Sequence, residues 1–305
     1  MQTLKTKSLV WYHLVKPASA ELSRLSRDLR LNPLVTEELS RPTMRPKTES
    51  YDGQIYLVLH LPVFNAQEKK THSREVDFVL TGSALVTVAN DRIAPLDDFF
   101  KKCSSEQACE DLYASKTPAH LFAAVVRELY SFALRELDHI HEHIDRIEER
   151  VFATEREEEQ LIEDLSFVRR DIIEFRRSLK PQQGTLESLV GHGVDLYGPG
   201  VRHVLESLIG EYAKVWNLLE NHKEAVDALY ENNVTVLNIK QNEAMRILSI
   251  MAFVTFPLVL FAQIFSMGTI STPILGREND FWIIVAIMIG GASLMFMIFK
   301  GKKWL

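Results

Sequence analysis

Two long uncharged apolar runs near the C-terminal end constrain the fold of this chain more than any other feature of its sequence. Residues 247–267 form a run of 21 residues without a charged side chain, and residues 281–299 form a second run of 19. As helices they would measure about 31 Å and about 28 Å, which matches the hydrocarbon core of a bilayer. Two such runs in succession are hard to bury in a soluble core. We therefore predict a C-terminal two-helix transmembrane hairpin over residues 247–305.

Basic side chains at the ends of this hairpin predict its orientation. Lys240 and Arg246 precede the first run, and Lys300, Lys302 and Lys303 follow the second as a basic ring. Lysine and arginine concentrate on the cytoplasmic side of membrane proteins. The N-terminal segment has no apolar run of the length that a secretory signal needs. We expect a multi-pass protein of the cell (inner) membrane, in contact with lipid, with both termini in the cytoplasm.

The loop between the two runs, residues 268–280, then faces the outside. It carries one positive and two negative side chains, Arg277, Glu278 and Asp280, so its net charge is −1. An acidic mouth raises the local concentration of cations. Glu278 and Asp280 are therefore candidate cation-attracting residues.

Residues 1–117 are typical of a cytosolic α/β domain, because short apolar runs alternate with turn signals. Two helices are predicted, one after Pro17 and one beginning at Pro33. Four strands are predicted, with the sequences LVWYHLV, QIYLVLHLPVF, EVDFVL and ALVTVAN.

Residues 118–246 are predicted to be helical. A helix begins at Pro118, a capping box at Thr154–Glu157 opens a second one, and Lys180 and Pro181 end it. Apolar residues in both helices recur every three or four positions, which predicts an antiparallel hairpin with one buried seam. The predicted seam residues are Phe122, Val126, Leu129, Ala133, Leu137, Ile140, Ile144, Ile147 and Val151, then Leu161, Leu165, Val168, Ile172, Phe175 and Leu179.

A longer seam follows the breaker Gly198–Gly200. Its spacing of three and four predicts one helix that continues into the membrane, about 80 Å long. Polar members of the seam are costly in a dry core and acceptable around a wet axis, so we expect a parallel homo-oligomeric stalk. The fold class is therefore α+β, with a cytosolic α/β domain, a long helical stalk and the transmembrane hairpin. The seam contains Leu205, Leu208, Tyr212, Val215, Leu219, His222, Val226, Leu229, Asn233, Val236 and Lys240.

Composition and motifs exclude several classes of function. Lys and Arg number 35 against 41 Asp and Glu, a net charge of −6, which argues against a nucleic-acid partner. No nucleophile elbow, Walker loop, dinucleotide fingerprint or HExxH occurs, so we predict no enzyme and no covalent cofactor. Cys103 and Cys109 fit no disulfide framework or zinc spacing and are expected to be ordinary thiols.

Histidines and acids in the first helix of the hairpin leave alternatives open. His139 and His143 share a helix face and His141 does not, and all three fall mainly on the polar side, which favours exposed residues over metal ligands. Residues 135–164 contain twelve acids and four arginines, a net charge of −8. This surface is either a solvated helix face or a cation-collecting regulatory surface. The sequence identifies no metal-ligating residues.

The order of its blocks gives the whole chain a resemblance to a known family. WYHLVKP, LNPLVTEEL, RPKTESYDGQIYLVLHLP, REVDFVL and ALVTV, followed by a helical hairpin, a long helix, two terminal spans and KKWL, resemble the CorA family of divalent-cation transporters. The resemblance implies a homopentamer with a funnel-shaped cytosolic region, a first span that lines the pore and a second that faces lipid. It implies passage of Mg²⁺ with Co²⁺ or Ni²⁺, or of Zn²⁺ in a ZntB-like branch, and regulation by a divalent cation in the cytosol.

The same resemblance implies which residues line the pore. Asn242 matches an inner polar ring, where amide oxygens accept hydrogen bonds from the water shell of a cation. Leu248 and Phe256 match two apolar constrictions, where side chains can close a path by dewetting. Val259 and Gln263 fall on the same helix face, one and two turns beyond Phe256.

The selectivity mouth departs from the family pattern. Where the family has Tyr-Gly-Met-Asn, this chain has Phe265, Ser266, Met267 and Gly268, so only the methionine is retained in register. Gly268 offers backbone carbonyls in place of an amide ring, and Ser266 offers hydroxyls nearby. We expect a divalent-cation channel gated by cytosolic metal. Two alternatives are a Zn²⁺ or less selective transporter and a nontransporting membrane scaffold or sensor.

Overall fold

The computed structural model describes residues 1–65, 68, 70–105, 116–152, 158–267, 274–276 and 278–302. They divide into two compact units, Met1–Tyr230 and Glu231–Leu305. The first unit contains a six-stranded sheet with helices on both of its faces. The second contains the C-terminal part of one long helix and a final helix. The predicted α+β class is confirmed.

The sheet has the order β1-β2-β6-β5-β4-β3. Strands β2 and β6 are parallel, and the other neighbours are antiparallel. All four predicted strands are present as β2, β4, β5 and β6, whereas the short, polar edge strands β1 and β3 were not predicted. The strands are β1 Gln2–Lys5, β2 Val10–Val15, β3 Lys47–Tyr51, β4 Gln54–Asn65, β5 Lys70–Thr81 and β6 Ala84–Ala89.

The described residues contain eight α-helices, of which α3 and α6 were not predicted. The capping box predicted at Thr154–Glu157 lies outside the described residues. A short 3₁₀ turn, Pro199–Val201, joins α6 to α7. The helices are α1 Ser19–Leu29, α2 Pro33–Glu38, α3 Ala94–Ser105, α4 Pro118–Phe152, α5 Glu158–Leu179, α6 Gln182–Tyr197, α7 Arg202–Ser266 and α8 Asp280–Gly301.

Strand β4 is apolar along most of its length because both faces of the sheet are covered. Ile55 and Leu57 belong to one core cluster with the long helices, including Phe122 of α4. Tyr56 and Val58 point the other way, into a second cluster with α1 and α2. Since successive residues of a strand alternate between faces, burial on both sides gives a continuous apolar run.

The predicted seam of α4 and α5 is confirmed, because every residue named for it is buried. The two helices pack against each other, and Arg150 near the end of α4 forms an ion pair with Asp164 near the start of α5. Helix α5 ends at Leu179, directly before the predicted stop at Lys180 and Pro181. The three-and-four spacing was sufficient to predict this hairpin.

The seam of α7 has a partner that the sequence did not indicate. Seven of its apolar residues, from Leu205 to Leu229, belong to the same core cluster as the seams of α4 and α5. Its polar member His222 is buried, and the ring Nε2 donates to the Leu137 carbonyl oxygen of α4, 3.1 Å away. This part of the seam is therefore packed within the chain. The spacing of this part of the seam therefore does not by itself require an oligomeric stalk, and the stalk stays a prediction.

A buried glutamine joins the sheet to two helices. Gln182, the first residue of α6, is completely buried. Its side-chain oxygen accepts a hydrogen bond from the Tyr130 hydroxyl of α4, at 2.7 Å. Its side-chain nitrogen donates to the His60 carbonyl oxygen of β4 and to the Ser178 carbonyl oxygen. One amide thus satisfies polar groups from three elements.

Cys103 lies in α3 and is buried. It is disulfide-bonded, so the expectation of an ordinary thiol was wrong for this residue. Cys109 lies outside the described residues.

Candidate functional site in the membrane helices

The second unit consists of apolar helices with very little buried surface. The C-terminal part of α7 and the whole of α8 are both long and apolar enough to cross a membrane. Ile250 is the one hydrophobic side chain of this unit that is buried, among the residues that the structure describes. A soluble core helix of this composition would be mostly buried. The spans predicted at 247–267 and 281–299 fall on these two candidate membrane helices, and their bounds stay a prediction.

One face of each membrane helix is less exposed than the rest. On α7 these positions recur every three or four residues, and the same spacing occurs on α8. This pattern is typical of two helices packed along one stripe each. The stripe of α7 contains Ile250, Val254, Leu258, Phe261 and Phe265, and that of α8 contains Ile284, Met288, Gly291, Met295 and Phe299.

The five predicted pore residues share another face of α7. At 3.6 residues per turn, Asn242, Leu248, Phe256, Val259 and Gln263 fall within an arc of about 120°. The centre of this arc lies about 180° from the centre of the less exposed stripe of α7. All five side chains are exposed in the single chain, with 60% exposure for Leu248 and 72% for Phe256. These five side chains are thus open to another copy of the chain or to water.

The predicted selectivity mouth lies at the end of α7. Ser266 is the last residue of the helix, and Met267 follows it. Both are exposed and fall within the same arc of about 120° as the pore residues. Gly268, the position of the departure from the family pattern, lies outside the described residues. Phe265 belongs to the less exposed stripe of α7.

The acidic loop residues have different surroundings. Asp280 begins α8, and its carboxylate accepts hydrogen bonds from the backbone N–H groups of Gly276, at 3.2 Å, and Phe281, at 2.7 Å. An acid in this position is favoured by the positive end of the helix dipole. Glu278 is exposed. Asp280 therefore organises the start of α8, while Glu278 remains available to cations.

Basic residues cluster at the opposite ends of both membrane helices. Lys300 lies in the last turn of α8 and Lys302 follows it, both exposed. Lys303 lies outside the described residues. On α7, Arg246 is 3.7 Å from the Glu243 carboxylate. A cation at a helix C-terminus is stabilised by the dipole and fits the cytoplasmic side of a membrane.

No group of three or more potential metal ligands is preassembled among the residues that the structure describes. His139, His141 and His143 are all exposed on α4, as the sequence predicted. His139 lies 3.9 Å from the Glu142 carboxylate, and His141 lies 3.7 Å from that of Asp145.

Sequence reasoning missed a buried acid pair in the α/β domain. Glu75 and Asp77 lie two residues apart on β5 and therefore point to the same face of the sheet. Asp77 is buried and accepts a hydrogen bond from the Tyr56 hydroxyl at 2.8 Å, while both Glu75 carboxylate oxygens accept from the Thr43 N–H. Burial, followed by the charge of Glu75, raises the pKa of Asp77 well above its usual range. The signal was present in the strand EVDFVL, where two acids alternate with apolar residues.

Comparisons with known proteins give one consistent result. Residues 6–302 match the family model of CorA, described as CorA-like Mg²⁺ transporter protein. The chain is 23% identical over 284 residues to the cobalt/magnesium transport protein CorA of Thermotoga maritima, which covers 93% of this chain and 80% of the relative.

Solved structures share the fold over the full length. The complete CorA magnesium transporter from Methanocaldococcus jannaschii gives a TM-score of 0.85 at 17% identity, over 98% of this chain and 92% of that one. The full-length CmaX protein gives 0.75 at 17% identity, over 100% and 91%. With a family match that spans nearly every residue, this chain belongs to the CorA-like Mg²⁺ transporter protein family.

Proposed function

We propose that this chain assembles as a homopentameric channel that passes divalent cations, with Mg²⁺ as its main ion and Co²⁺ or Ni²⁺ as companions. Members of its family are membrane transporters and not enzymes. In the proposed assembly α7 lines the pore, α8 contacts lipid, and both termini lie in the cytoplasm. Ions move down their electrochemical gradient, since the sequence contains no nucleotide-binding motif.

The exposed face of α7 is the observation that carries this proposal. Two membrane helices cannot enclose a water-filled path, so several copies have to form a closed ring. The helix that lines such a ring needs one face against its own partner helix and the opposite face free. Helix α7 suits this arrangement, because it has a less exposed stripe on one face and its open arc about 180° away.

The order of side chains along the open arc suits a hydrated cation. The amides of Asn242 and Gln263 lie near the two ends, and their oxygens can accept hydrogen bonds from water around the ion. Mg²⁺ dehydrates reluctantly, so water-mediated contacts are the ones expected for it. Leu248, Phe256 and Val259 lie between the amides, where an apolar ring can stop flow by dewetting.

Regulation by cytosolic metal is part of the proposal. The acidic surface of residues 135–164 supports it, because a net charge of −8 attracts divalent cations. Metal bound between protomers would hold the channel closed. Removal of divalent ions from the cytosolic side should then raise both conductance and protease sensitivity. If neither changes, the gating proposal fails.

Gly268 favours a second candidate function. A mouth without the family's asparagine lacks the amide ring that would contact hydrated Mg²⁺, which favours a Zn²⁺ or less selective cation transporter. A nontransporting scaffold or sensor that retains the fold is the candidate from another class. This last candidate predicts that the wild-type protein passes no ion and that the Gly268→Asn variant does.

Ion uptake into liposomes containing the purified protein separates these candidates. Mg²⁺, Co²⁺, Ni²⁺ and Zn²⁺ are compared side by side, and the main proposal expects Mg²⁺ uptake to be the fastest. Phe256→Ala should raise uptake because it widens the apolar ring. Phe296→Ala on α8 is the matched control, since Phe296 is also exposed and lies on the helix assigned to lipid. Equal effects of the two substitutions would contradict the assignment of α7 to the pore.

A further inference from the structure

We propose that a pocket between α5 and α7 binds a phosphate group, either as the inorganic ion or as part of a small phosphorylated molecule. The pocket has a volume of about 220 Å³. Sites for drug-sized ligands usually measure about 300–1,000 Å³, so the volume favours a small ligand. Three cationic side chains and one acid line the pocket, in a chain whose net charge is −6. The cations are Arg169 and Arg176 of α5 and Lys223 of α7, and the acid is Asp227 of α7.

Apolar side chains form the floor of this pocket beneath the charged rim. Ile172 of α5 and Val226 of α7 line it and are each 1% exposed. Each follows one of the rim cations by three positions, so floor and rim share one face of their helix. Water screens charges less well next to an apolar surface than in the open solvent. An anion in the pocket is therefore attracted to the rim cations more strongly than an anion on the open surface.

Aromatic side chains of α7 hold both guanidinium groups of the pocket. The Arg169 guanidinium lies over the Tyr230 ring, 5.4 Å from its centroid, and that of Arg176 lies over the Trp216 ring at 5.6 Å. Such cation–π contacts restrict a long side chain before any ligand arrives, which lowers the entropy lost on binding. Two N–H groups of one guanidinium can then bind two phosphate oxygens at once.

Two acids compete for these cations without saturating them. The Asp227 carboxylate lies 3.1 Å from Nζ of Lys223 and 3.7 Å from Nη2 of Arg169, and the second distance is too long for a hydrogen bond. Glu220 lies 3.3 Å from Nε of Arg176, yet its Oε1 accepts no hydrogen bond from any described residue. Three cations and two acids leave a local net charge of +1. The N–H groups of both arginines therefore remain available to a ligand.

The position of the Asp227 carboxylate indicates where the phosphate group binds, because it lies between a cation of α5 and a cation of α7. A phosphate group has a charge of about −1.5 to −2 at pH 7 and more acceptor oxygens than a carboxylate. It takes the place of this carboxylate, and the Asp227 side chain, which is already 36% exposed, turns to solvent. The bound group connects α5 to α7. This inference goes beyond the proposed function and does not depend on transport, because the test measures binding alone.

The test is isothermal titration of the purified full-length protein, in detergent and without divalent cations, with inorganic phosphate and with glycerol 3-phosphate. We expect one phosphate group per chain, bound more weakly as the NaCl concentration is raised. Arg169→Gln should weaken binding at least about tenfold, because it removes a charged hydrogen-bond donor. Arg177→Gln is the matched control, since Arg177 lies on the same helix, is 75% exposed and does not line the pocket. It should leave the affinity unchanged.

A third variant tests the position of the ligand. Asp227→Asn removes the competing charge without changing the size of the side chain, so it should tighten phosphate binding by up to about fivefold. Tighter binding of glycerol 3-phosphate than of inorganic phosphate identifies a phosphorylated molecule as the ligand, and the reverse order identifies the free ion. Absence of binding for both probes, equal losses in Arg169→Gln and Arg177→Gln, or weaker binding in Asp227→Asn would each overturn the proposal.

Discussion

Replacement of Gln182 by leucine tests whether the buried amide joins the sheet to the helices as the structure indicates. Leucine fills a similar volume but cannot pair with the Tyr130 hydroxyl or the His60 carbonyl oxygen. Each buried polar group left without a partner costs about 1–3 kcal/mol, so the two together predict a loss of about 2–6 kcal/mol. In a unit of this size that loss lowers the melting temperature by at least about 4 °C.

The assay is thermal unfolding of the full-length protein in detergent, followed by tryptophan fluorescence, since Trp11 and Trp216 lie in the first unit. Gln183→Leu is the control, because that glutamine is exposed and bonds only locally, to Glu187. Tyr130→Phe should destabilise the wild type but cost little in the Gln182→Leu background, where the hydroxyl is already unpaired. A Gln182→Leu protein within about 1 kcal/mol of wild type would refute the reasoning.

Two further predictions concern the first unit. The raised pKa of Asp77 means that its carboxyl group holds a proton more tightly in the folded state than in the unfolded state. The stability that this proton contributes is complete below the unfolded pKa near 3.8 and is lost as the pH rises through the folded pKa. Asp77→Asn, which mimics the protonated acid, should therefore unfold at a higher temperature than wild type at pH 8 and at the same temperature at pH 4. Asp98→Asn, at an exposed position, should show no such difference, and equal pH profiles for Asp77→Asn and wild type would count against a buried proton. Gly193→Ala should lower the free energy of unfolding by about 1–3 kcal/mol, because the added Cβ would overlap the buried Leu205 side chain. Gly191→Ala places its Cβ in open space and should stabilise α6 by up to about 1 kcal/mol. Chemical denaturation of both variants measures the difference, and similar values would mean that α6 and α7 can separate without cost.

Elements with a strong periodic pattern could be predicted, and elements that depend on their neighbours could not. Helices α4, α5 and α7 carry apolar residues every three or four positions over many turns. Their seams are buried, in α7 from Leu205 to Leu229, whereas the last predicted seam residue of α7, Lys240, is exposed. Helix α6 contains Gly184, Gly191 and Gly193, each unfavourable in a helix by about 1 kcal/mol, so its sequence gives a weak helical signal. Its burial against the sheet and α7 compensates for that cost.

The tertiary structure decides which residues pack against an apolar seam. The spacing in α7 predicted that the seam has to be covered, which is correct, but it could not tell whether another copy or the same chain covers it. The structure places α4 and α5 against the residues from Leu205 to Leu229. A periodic pattern contains the width and direction of an apolar stripe and no information about what lies opposite.

Some features of the candidate site could likewise be predicted from the sequence, and others could not. Asn242, Leu248, Phe256, Val259 and Gln263 were named from the sequence, and helical geometry alone puts them on one side of α7. That this side is opposite the less exposed stripe of α7 follows from the structure. Contacts that only the fold assembled are those of Tyr56 with Asp77 and of His141 with His222, which are brought together by the pairing of β4 with β5 and by the packing of α4 on α7.

The sequence by itself determined the membrane helices, the class of the fold and the periodic helices, because these depend on local composition and on spacing along one chain. The tertiary structure decided which seam packs against which, which acids are buried and which histidines meet. Those properties depend on residues far apart in the chain, such as His141 and His222, and they are fixed only when long-range packing excludes water from one side of each element.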